Sequence, residues 1–413
     1  MNAGDRFAIG VNYWPRSSAM AMWRRFDRGE IAEDFARIAA LKFSVVRCFL
    51  MWEAFQPEPR TIDATALARL DAVVELAVAY KLQLMPTLFC GHMSGVNWLP
   101  DWTLDSATPH GRFRTIAGGR ESAHGIGDFY SGALLDAQRF AARTIGARYR
   151  AHPAIAAWDL GNEFSNLRAP RTSTDAAAWS RGLTDELREA SELPVTGGIH
   201  GEDLTQDRAI RPSSICAPWT FATMHGYSIY SGFARGRCDP AVVPFLAALT
   251  GACARKRVLF SEFGNPNCPA GTRPMFDRVA LPGDAAAPGT APPPGAAPFA
   301  CLTDDELAVY ADAVLTQLHA GGALGALWWC WADYDRRLAG EPPFDRAPHE
   351  LHFGLIRSDG REKPVAGVLA AAARARRPIV DPPPPIVDEA AYYAALPGST
   401  GRSYAAYLGR VRA

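Results

Sequence analysis

The chain of 413 residues is long enough for one large barrel with insertions or for two ordinary domains, and length alone does not decide between them. Its 43 basic and 43 acidic residues cancel, so no basic field is present to attract nucleic acid or an anionic membrane. The sequence has no run of 18 apolar residues and no apolar leader after Met1, which predicts a cytoplasmic protein with a small neutral or weakly polar partner. Monomer and homo-oligomer both stay open.

The eight cysteines predict neither a structural metal site nor a disulfide framework. None of them forms a Cys-x-x-Cys pair, and Cys48, Cys90 and Cys330 stand in apolar strand-like segments, where a thiol behaves as a small hydrophobe. Cys268 and Cys301 flank one irregular insertion, and a disulfide between them is left open. We therefore expect no bound metal and no cofactor.

Short apolar runs alternate along the first half of the chain with longer segments of helical spacing. The predicted buried strands are 7–14, 43–50, 82–89 and 155–160, and the predicted helices are 31–41, 67–80, 134–150 and 175–192. A long excursion, 90–132, separates the third strand from the next helix. Loops of this length on a compact domain are usually functional.

The same alternation continues in the second half. The predicted strands are 193–198, 221–225, 258–262 and 325–329, and the predicted helices are 240–254, 303–319 and 364–376. Thr303 and Glu306 form the capping box that begins one of these helices. The Pro- and Ala-rich composition between Asn265 and Leu302 predicts a mobile or extended segment.

Eight strands that alternate with helices are typical of a closed parallel barrel. We therefore predict a (β/α)8 TIM barrel over residues 1–376, with long loops after the third, seventh and eighth strands. Residues 377–413 are predicted to form a Pro-rich strap and two short helical segments. This C-terminal extension either packs on the barrel wall or crosses to a neighbouring protomer.

Two acidic residues stand where predicted buried strands meet loops. Glu163 follows the fourth strand, and Glu262 ends the seventh. The carboxyl ends of barrel strands open onto one face, so we expect these two side chains to converge there. One such acid alone is more often a partner for an arginine, but a facing pair is the minimum machinery for cleaving a glycosidic bond.

The sequence around these acids resembles a known family. Asn162 directly precedes Glu163, and the eighth predicted strand ends in two tryptophans, Trp328 and Trp329. Together these motifs resemble the retaining glycoside hydrolases of the clan-A barrels, most closely glycoside hydrolase family five, over roughly residues 7–376. The resemblance implies that Glu163 is the acid/base, that Glu262 is the nucleophile, and that Asn162 binds the sugar hydroxyl next to the reacting carbon.

The resemblance also implies roles for four polar residues. Arg47 lies inside an apolar strand, and a buried guanidinium needs a carboxylate, so it is expected to brace Glu262; an ion pair elsewhere is the alternative. His92 is expected to line the sugar site. His225 and Tyr227 are expected to orient the acid/base and the nucleophile respectively, although His-x-Tyr alone is ordinary loop sequence.

Three tryptophans complete the expected sugar site. Trp329 is predicted to stack beneath the sugar ring. Trp14 ends the first predicted strand and Trp52 follows the second, and both are expected at the barrel mouth. No metal ligand is expected among these residues.

The roles of the two acids lead to expectations about their ionisation and spacing. Arg47 and Tyr227 beside Glu262 are expected to lower its pKa and keep it charged. A more apolar setting is expected to raise the pKa of Glu163, so that it donates a proton to the leaving oxygen. A retaining mechanism predicts carboxyl groups about 5–5.5 Å apart.

The substrate is expected to be a short β-linked sugar cleaved from one end, because long insertions should wall the barrel mouth into a pocket. The segments 10–15 and 47–57 look most like β-mannosidase-type members of the family, which favours a β-mannoside. An endo-β-1,4-mannanase, a β-glucosidase or a glucanase would use the same core. An idle carbohydrate-binding barrel and a metal-assisted hydrolase are the alternatives from other classes; the intact motifs disfavour the first, and the histidine spacing disfavours the second.

Overall fold

A computed structural model describes residues 6–267, 302–381 and 386–412. Its main sheet has eight strands, labelled in chain order as β1 Ala8–Tyr13, β2 Val45–Met51, β3 Gln83–Cys90, β4 Trp158–Asn162, β5 Val195–Gly198, β6 Ala222–His225, β7 Val258–Phe263 and β8 Gly325–Trp328. Each strand has nearly every residue buried, because helices cover the outside of the barrel and side chains fill its inside.

The α-helices of the described residues surround this sheet. They are α1 Arg28–Ala40, α2 Trp52–Phe55, α3 Ala64–Tyr80, α4 Gly132–Arg148, α5 Ser173–Ala190, α6 Gly201–Thr205, α7 Pro212–Ile215, α8 Val242–Ala254, α9 Asp304–Ala320, α10 Pro364–Ala375, α11 Glu389–Ala394 and α12 Gly398–Arg412. Short 3-10 helices cover Ala19–Ala21, Asp101–Thr103, Phe164–Asn166, Ser228–Tyr230, Arg336–Gly340 and Pro348–His352. The capping box predicted at Thr303 and Glu306 is present at the start of α9.

The eight strands are all parallel and lie in the order β5-β4-β3-β2-β1-β8-β7-β6. Backbone hydrogen bonds join the two end strands, from Thr220 N to Val195 O at 2.8 Å and from His225 N to Ile199 O at 3.0 Å. The sheet is thus nearly closed, and the predicted TIM barrel is confirmed. The alternation of strands with helices in the sequence was enough to predict it.

An apolar plug fills the lower part of the barrel. It consists of one side chain from each of six strand segments, Val45, Met85, Ala157, Phe221, Leu259 and Leu327. Two residues further along three of these strands, on the same face, stand Arg47, Asp159 and Ser261. The inward face therefore changes from apolar to polar toward the carboxyl ends of the strands.

The excursion between β3 and α4 is more regular than a loop. It contains His92–Met93, Val96–Leu99, Arg114–Ala117 and Arg120–Ser122 in one small sheet, and Leu104–Pro109 with His124–Ile126 in another. These strands are two to six residues long and lack a continuous apolar pattern, so sequence periodicity did not predict them. The short helices α2, α6 and α7 escaped prediction for the same reason.

Two predictions fall on 268–301, which lies outside the described residues: the open disulfide between Cys268 and Cys301, and the mobile or extended character of the Pro-rich stretch. The expected wall after β7 lies there as well. Among the described residues, no helix combines the length and the apolar character that crossing a membrane requires.

The C-terminal extension lies against the barrel of its own chain. Three tyrosine hydroxyls attach it: Tyr392 donates to Leu204 O at 3.0 Å, Tyr393 donates to Asp203 O at 2.8 Å, and Tyr404 donates to the Asp239 carboxylate at 2.6 Å. All three rings are buried. The division of the chain at residue 376 remains a prediction.

We predict that Tyr404→Phe destabilises the protein by about 2 kcal/mol, because a hydrogen bond to a charged carboxylate contributes about that much. Arg235 and Tyr404, working against burial, lower the pKa of Asp239 to about 2, so the acceptor is ionised at neutral pH. Denaturant unfolding measures the difference. Tyr407→Phe is the matched control on the same helix, since that hydroxyl has no hydrogen-bond partner among the described residues; equal losses in both variants would contradict the role of the hydrogen bond.

Candidate active site

The polar layer at the carboxyl ends of the strands is built around Arg47, whose side chain is fully buried. Its Nε donates to Asp159 Oδ2 at 2.8 Å, and its Nη1 donates to Glu262 Oε1. Nη1 also donates to Asn12 Oδ1 at 3.2 Å, and Nη2 donates to Asn162 Oδ1 at 3.0 Å. The predicted contact between Arg47 and Glu262 is therefore present, but Asp159 shares the guanidinium.

The partners of Arg47 are themselves held in place. Asn12 on β1 donates from Nδ2 to Ser261 O at 2.9 Å and to Trp328 O at 3.1 Å, so it ties β1 to β7 and β8. Thr87 on β3 donates to Asp159 Oδ2 at 2.7 Å. A buried guanidinium is tolerated only when its donors are satisfied, and three strands, β1, β4 and β7, supply the acceptors here.

The Glu262 carboxylate lies at the end of β7 with only 5% of its side chain exposed. Besides Arg47, it accepts a hydrogen bond from the Tyr227 hydroxyl at 2.8 Å. His225 Nδ1 lies 3.6 Å from its Oε1. Tyr227 therefore contacts the acid that the sequence assigned to it.

The Glu163 carboxylate follows β4 and is reached by an amide and three imidazoles. Asn166 Nδ2 donates to its Oε2 at 3.0 Å, and His225 Nδ1 lies 3.3 Å from its Oε1. His92 Nε2 and His200 Nδ1 each lie 3.9 Å from Oε2. The guanidinium of Arg47, by contrast, does not contact this acid.

The backbone around Glu163 is constrained. Glu163 has φ of 45°, in the left-handed region that a residue with a side chain rarely adopts, and such strain clusters at functional sites. Strand β5 approaches closely because Gly198 has no side chain: a Cβ there would lie 2.4 Å from Gly161 O and 3.3 Å from Arg47 Nη2. The site is thus shaped by the backbone as well as by charges.

The hydrogen-bond partners assign the form of two histidines. His92 Nδ1 lies 2.7 Å from Asn97 Oδ1, an acceptor, so Nδ1 carries the proton and Nε2 turns its lone pair toward Glu163. His225 Nδ1 is the nitrogen closest to Glu163 Oε1, so its N–H donates there. The Asn162 amide meanwhile donates to His92 O at 2.9 Å and keeps one N–H for another acceptor.

The electrostatics of the two acids run opposite to the sequence expectation. Burial raises the pKa of Glu262 above its ordinary value and Glu163 adds to the shift, which His225, Arg47 and Tyr227 offset only in part. Burial also acts to raise the pKa of Glu163, but His200, His225 and His92 together hold it below its ordinary value. The expectation was wrong because it assigned Arg47 to Glu262 alone and did not include His200.

The two acids are close enough to act on one bond. One oxygen of Glu163 and one of Glu262 lie within 4.8 Å of each other, and a ring nitrogen of His225 lies within the same distance of both. Among the described residues these three make the one group of acids, histidines and cysteines compact enough to hold a metal ion. Arg47 already occupies Glu262 Oε1 with a positive charge, which disfavours a cation at the same oxygen.

The three predicted tryptophans lie near the barrel mouth in different settings. Trp329 follows β8 and meets the ring of Phe49 edge-on at 5.9 Å. Trp14 is fully buried and stacks on the same phenylalanine, with its ring 5.1 Å from that of Phe49. Trp52 packs edge-on against Phe89 and donates its indole N–H to Gln56 at 2.7 Å, so its contacts are with protein.

Several residues of the site escaped the sequence reasoning. Asp159 and Asn166 flank the Asn162-Glu163 motif, and His200 follows β5. Two signals could have found them: a charged residue inside the apolar fourth strand, and a polar residue at the carboxyl end of the fifth, by the rule that placed the others.

Two long loops are fastened together above the barrel. Ser94, after β3, donates to Glu350 Oε2 at 3.0 Å, and Arg114 forms two hydrogen bonds to Asp345, one of 2.8 Å. Both acceptors lie after β8. The predicted walls after the third and eighth strands are thus joined to each other.

Comparisons with known proteins were made on sequence and on structure. No protein-family model matches the chain, and no curated protein sequence matches it. Among solved structures, an exo-β-1,4-mannosidase from Opitutaceae bacterium strain TAV5 is similar with 26% identity and a TM-score of 0.67, over 89% of this chain. This chain spans 59% of the length of that mannosidase chain.

Two further solved structures share the fold. A GH5_18 protein from Streptomyces cattleya, in complex with Manβ1-4GlcNAc, has 22% identity and a TM-score of 0.73 over 97% of this chain and 90% of its own. A GH5_18 protein from Bifidobacterium longum subsp. infantis has 21% identity and a TM-score of 0.67, over 92% and 80%. The resemblance to the clan-A, family-five barrels is confirmed in the fold.

We predict that His92 stays neutral down to acid pH. Burial lowers its pKa to about 4, against an ordinary value of about 6.5. Between these values the unfolded chain binds a proton at this residue and the folded protein does not, so protein stability falls as pH drops through that window. Nitrogen chemical shifts of the imidazole ring should report the Nδ1–H form until about pH 4; protonation near pH 6.5 would contradict the assignment.

Proposed function

We propose that this chain, a barrel of the clan-A, family-five glycoside hydrolase type, hydrolyses short β-linked sugars with retention of configuration. We further propose that it acts from one end of the sugar and that the preferred substrate is a β-mannoside. The observation that carries the proposal is the pair Glu163 and Glu262, whose oxygens approach within 4.8 Å while each carboxylate has its own set of donors.

Glu262 is the proposed nucleophile. Arg47 and Tyr227 hold both of its oxygens, and the charge of a guanidinium persists at every relevant pH. These fixed donors keep the carboxylate oriented toward a sugar carbon and stabilise it again when it leaves as a carboxylate from the covalent intermediate.

Glu163 is the proposed acid, and afterwards the base that activates water. Because the pKa of His92 is about 4, its ring is neutral at neutral pH. A neutral ring does not attract the Glu163 carboxylate as a charged one would, so His92 does not then lower the Glu163 pKa. The Nε2 lone pair lies 3.9 Å from Glu163 Oε2, too far for a hydrogen bond, and it repels a carboxylate there more than a neutral carboxyl group. When Glu262 bonds to the sugar, it loses its negative charge. The repulsion between the two acids then disappears, and the pKa of Glu163 falls, as its role as a base requires.

The proximity of the two carboxylates supports retention. Retaining enzymes have carboxyl groups about 5–5.5 Å apart, whereas inverting enzymes leave about 6.5–9.5 Å for a water molecule. An oxygen–oxygen approach within 4.8 Å fits the narrower arrangement. Asn162 keeps one amide N–H for the hydroxyl next to the reacting carbon.

The fastened loops support action from one end. Ser94 with Glu350, and Arg114 with Asp345, join the loops after β3 and β8 to each other, and we infer that together they form a wall. A wall of this kind closes one side of the barrel mouth, which a long polysaccharide would have to cross. The preference for mannose rests on the neighbours, one an exo-β-1,4-mannosidase and another bound to Manβ1-4GlcNAc.

The proposal is tested with a panel of 4-nitrophenyl glycosides in the presence and absence of EDTA. We expect the β-mannoside to be hydrolysed fastest and the chelator to have no effect. Hydrolysis that EDTA abolishes would support the metal-assisted alternative, and binding without release would support the idle barrel. Faster hydrolysis of the β-glucoside would leave the proposed mechanism standing but make glucose, and not mannose, the preferred sugar.

We predict that azide separates the roles of the two acids. With 2,4-dinitrophenyl β-mannoside, whose leaving group needs no proton, Glu163→Ala should form the intermediate and release β-mannosyl azide. Glu262→Ala should instead release α-mannosyl azide, because azide then attacks the sugar directly from the vacated face. Chromatography against the two standards gives the result, and the opposite pairing would exchange the roles of the acids.

A further inference from the structure

Arg208 lies beside the acid/base without touching it. Its Nη1 donates to Asn166 Oδ1 at 2.7 Å and to Glu202 Oε2 at 2.8 Å, and its Nη2 donates to Ser165 O. Only 17% of its side chain is exposed. It follows α6, in a loop that no sequence pattern connects with Glu163.

The contact with Asn166 has a consequence for Glu163. An amide presents an oxygen on one side and an NH2 group on the other, and its orientation is set by its partners. Arg208 has only donors, so it selects the oxygen of Asn166 and turns the NH2 group toward Glu163 Oε2, 3.0 Å away. The opposite orientation would place two oxygens against each other.

The contact with Ser165 acts in the same direction. Arg208 Nη2 donates a hydrogen bond to the carbonyl oxygen of Ser165, two residues after Glu163 in the turn Phe164–Asn166. Glu163 has φ of 45°, so this turn is held in a conformation that its own sequence disfavours. Arg208 therefore fixes both the amide that meets the carboxylate and the turn that carries it.

We propose that Arg208 is a positioning residue for the acid/base: it orients the Asn166 amide and the turn after Glu163, so that the carboxylate points at the leaving oxygen. This inference rests on the proposed function, in which Glu163 protonates the leaving group. Glu202 and Arg112 form the outer part of the network, since Arg112 Nη1 binds the other oxygen of Glu202 at 2.6 Å. Glu202 holds Arg208 in turn.

The test exploits the dependence of acid catalysis on the leaving group. Phenyl glycosides need a proton at the departing oxygen, whereas 2,4-dinitrophenyl glycosides do not, and kcat/KM reports the step in which that bond breaks. Acid catalysis contributes about 10²–10⁴-fold, so Arg208→Met should lower kcat/KM for the phenyl glycoside by at least about tenfold. For the dinitrophenyl glycoside the change should stay below about threefold.

Matched variants separate positioning from folding. Arg211→Met is the control, because Arg211 lies three residues further along the same segment, pairs with Asp207 and covers the Tyr393 ring at 3.8 Å. It should leave the leaving-group dependence unchanged. Arg208→Lys should recover part of the loss. Asn166→Ala should resemble Arg208→Met, and the double variant should be little worse than Asn166→Ala alone, since residues acting through one contact are not additive.

Crystal structures of the wild type and of Arg208→Met give a readout that does not need activity. We expect the contact between Asn166 and Glu163 to be lost or the amide to be reversed in the variant. Equal losses of kcat/KM on both glycosides, or an unchanged contact between Asn166 and Glu163 in the variant crystal, would overturn the inference. The proposed function would still stand if the wild type hydrolyses glycosides. A wild type that hydrolyses no glycoside would remove the proposed function, and the crystal structures alone would then decide whether Arg208 positions Glu163.

Discussion

The site depends on one buried cation. Arg47 is completely enclosed, and removing a guanidinium from water is tolerated only when carboxylates and other acceptors replace the lost hydration. Asp159 on β4, Glu262 on β7, Asn12 on β1 and Asn162 on β4 supply those acceptors. Since Arg47 itself comes from β2, one ionic network fixes the relative positions of four strands at the end where the barrel opens. The apolar plug below it, which includes Val45 and Leu259, keeps water from competing for these contacts.

This network also makes the two acids different. One guanidinium faces two carboxylates, Asp159 and Glu262, so the buried layer carries excess negative charge even before Glu163 is counted. Burial raises the pKa of Glu262 despite its contact with Arg47, and the nearby Glu163 adds to the rise. Glu163 stands outside the network and is surrounded by neutral or titratable donors instead. A fixed cation on one acid and adjustable partners on the other is the asymmetry that a nucleophile and an acid/base require.

The sequence was sufficient to predict the barrel but not the charged and polar surroundings of the two acids. Continuous apolar strands that alternate with amphipathic helices indicate the fold, because both faces of each strand are buried. Barrel geometry alone located Glu163 and Glu262, because both follow or end a strand on the face where the barrel opens. The division of Arg47 between two carboxylates depends on distances across the barrel, which no local pattern encodes. From the segment after β5, His200 reaches Glu163 and Arg208 reaches the neighbouring Asn166. The small sheets beyond His92 form from strands too short to show periodicity.

The central claim is that Glu262, held by Arg47, forms the bond to the sugar, while Glu163 donates a proton to the leaving group and later accepts one from water. Labelling with 2-deoxy-2-fluoro-β-mannosyl fluoride tests it most directly. Fluorine at C2 slows both formation and release of the covalent intermediate, and the reactive fluoride at C1 speeds formation alone, so the intermediate accumulates. Peptide mass spectrometry after labelling should find one fluoromannosyl group, attached to Glu262. Attachment to Glu163, or continued turnover of mannosides by a protein that never carries the label, would contradict the account.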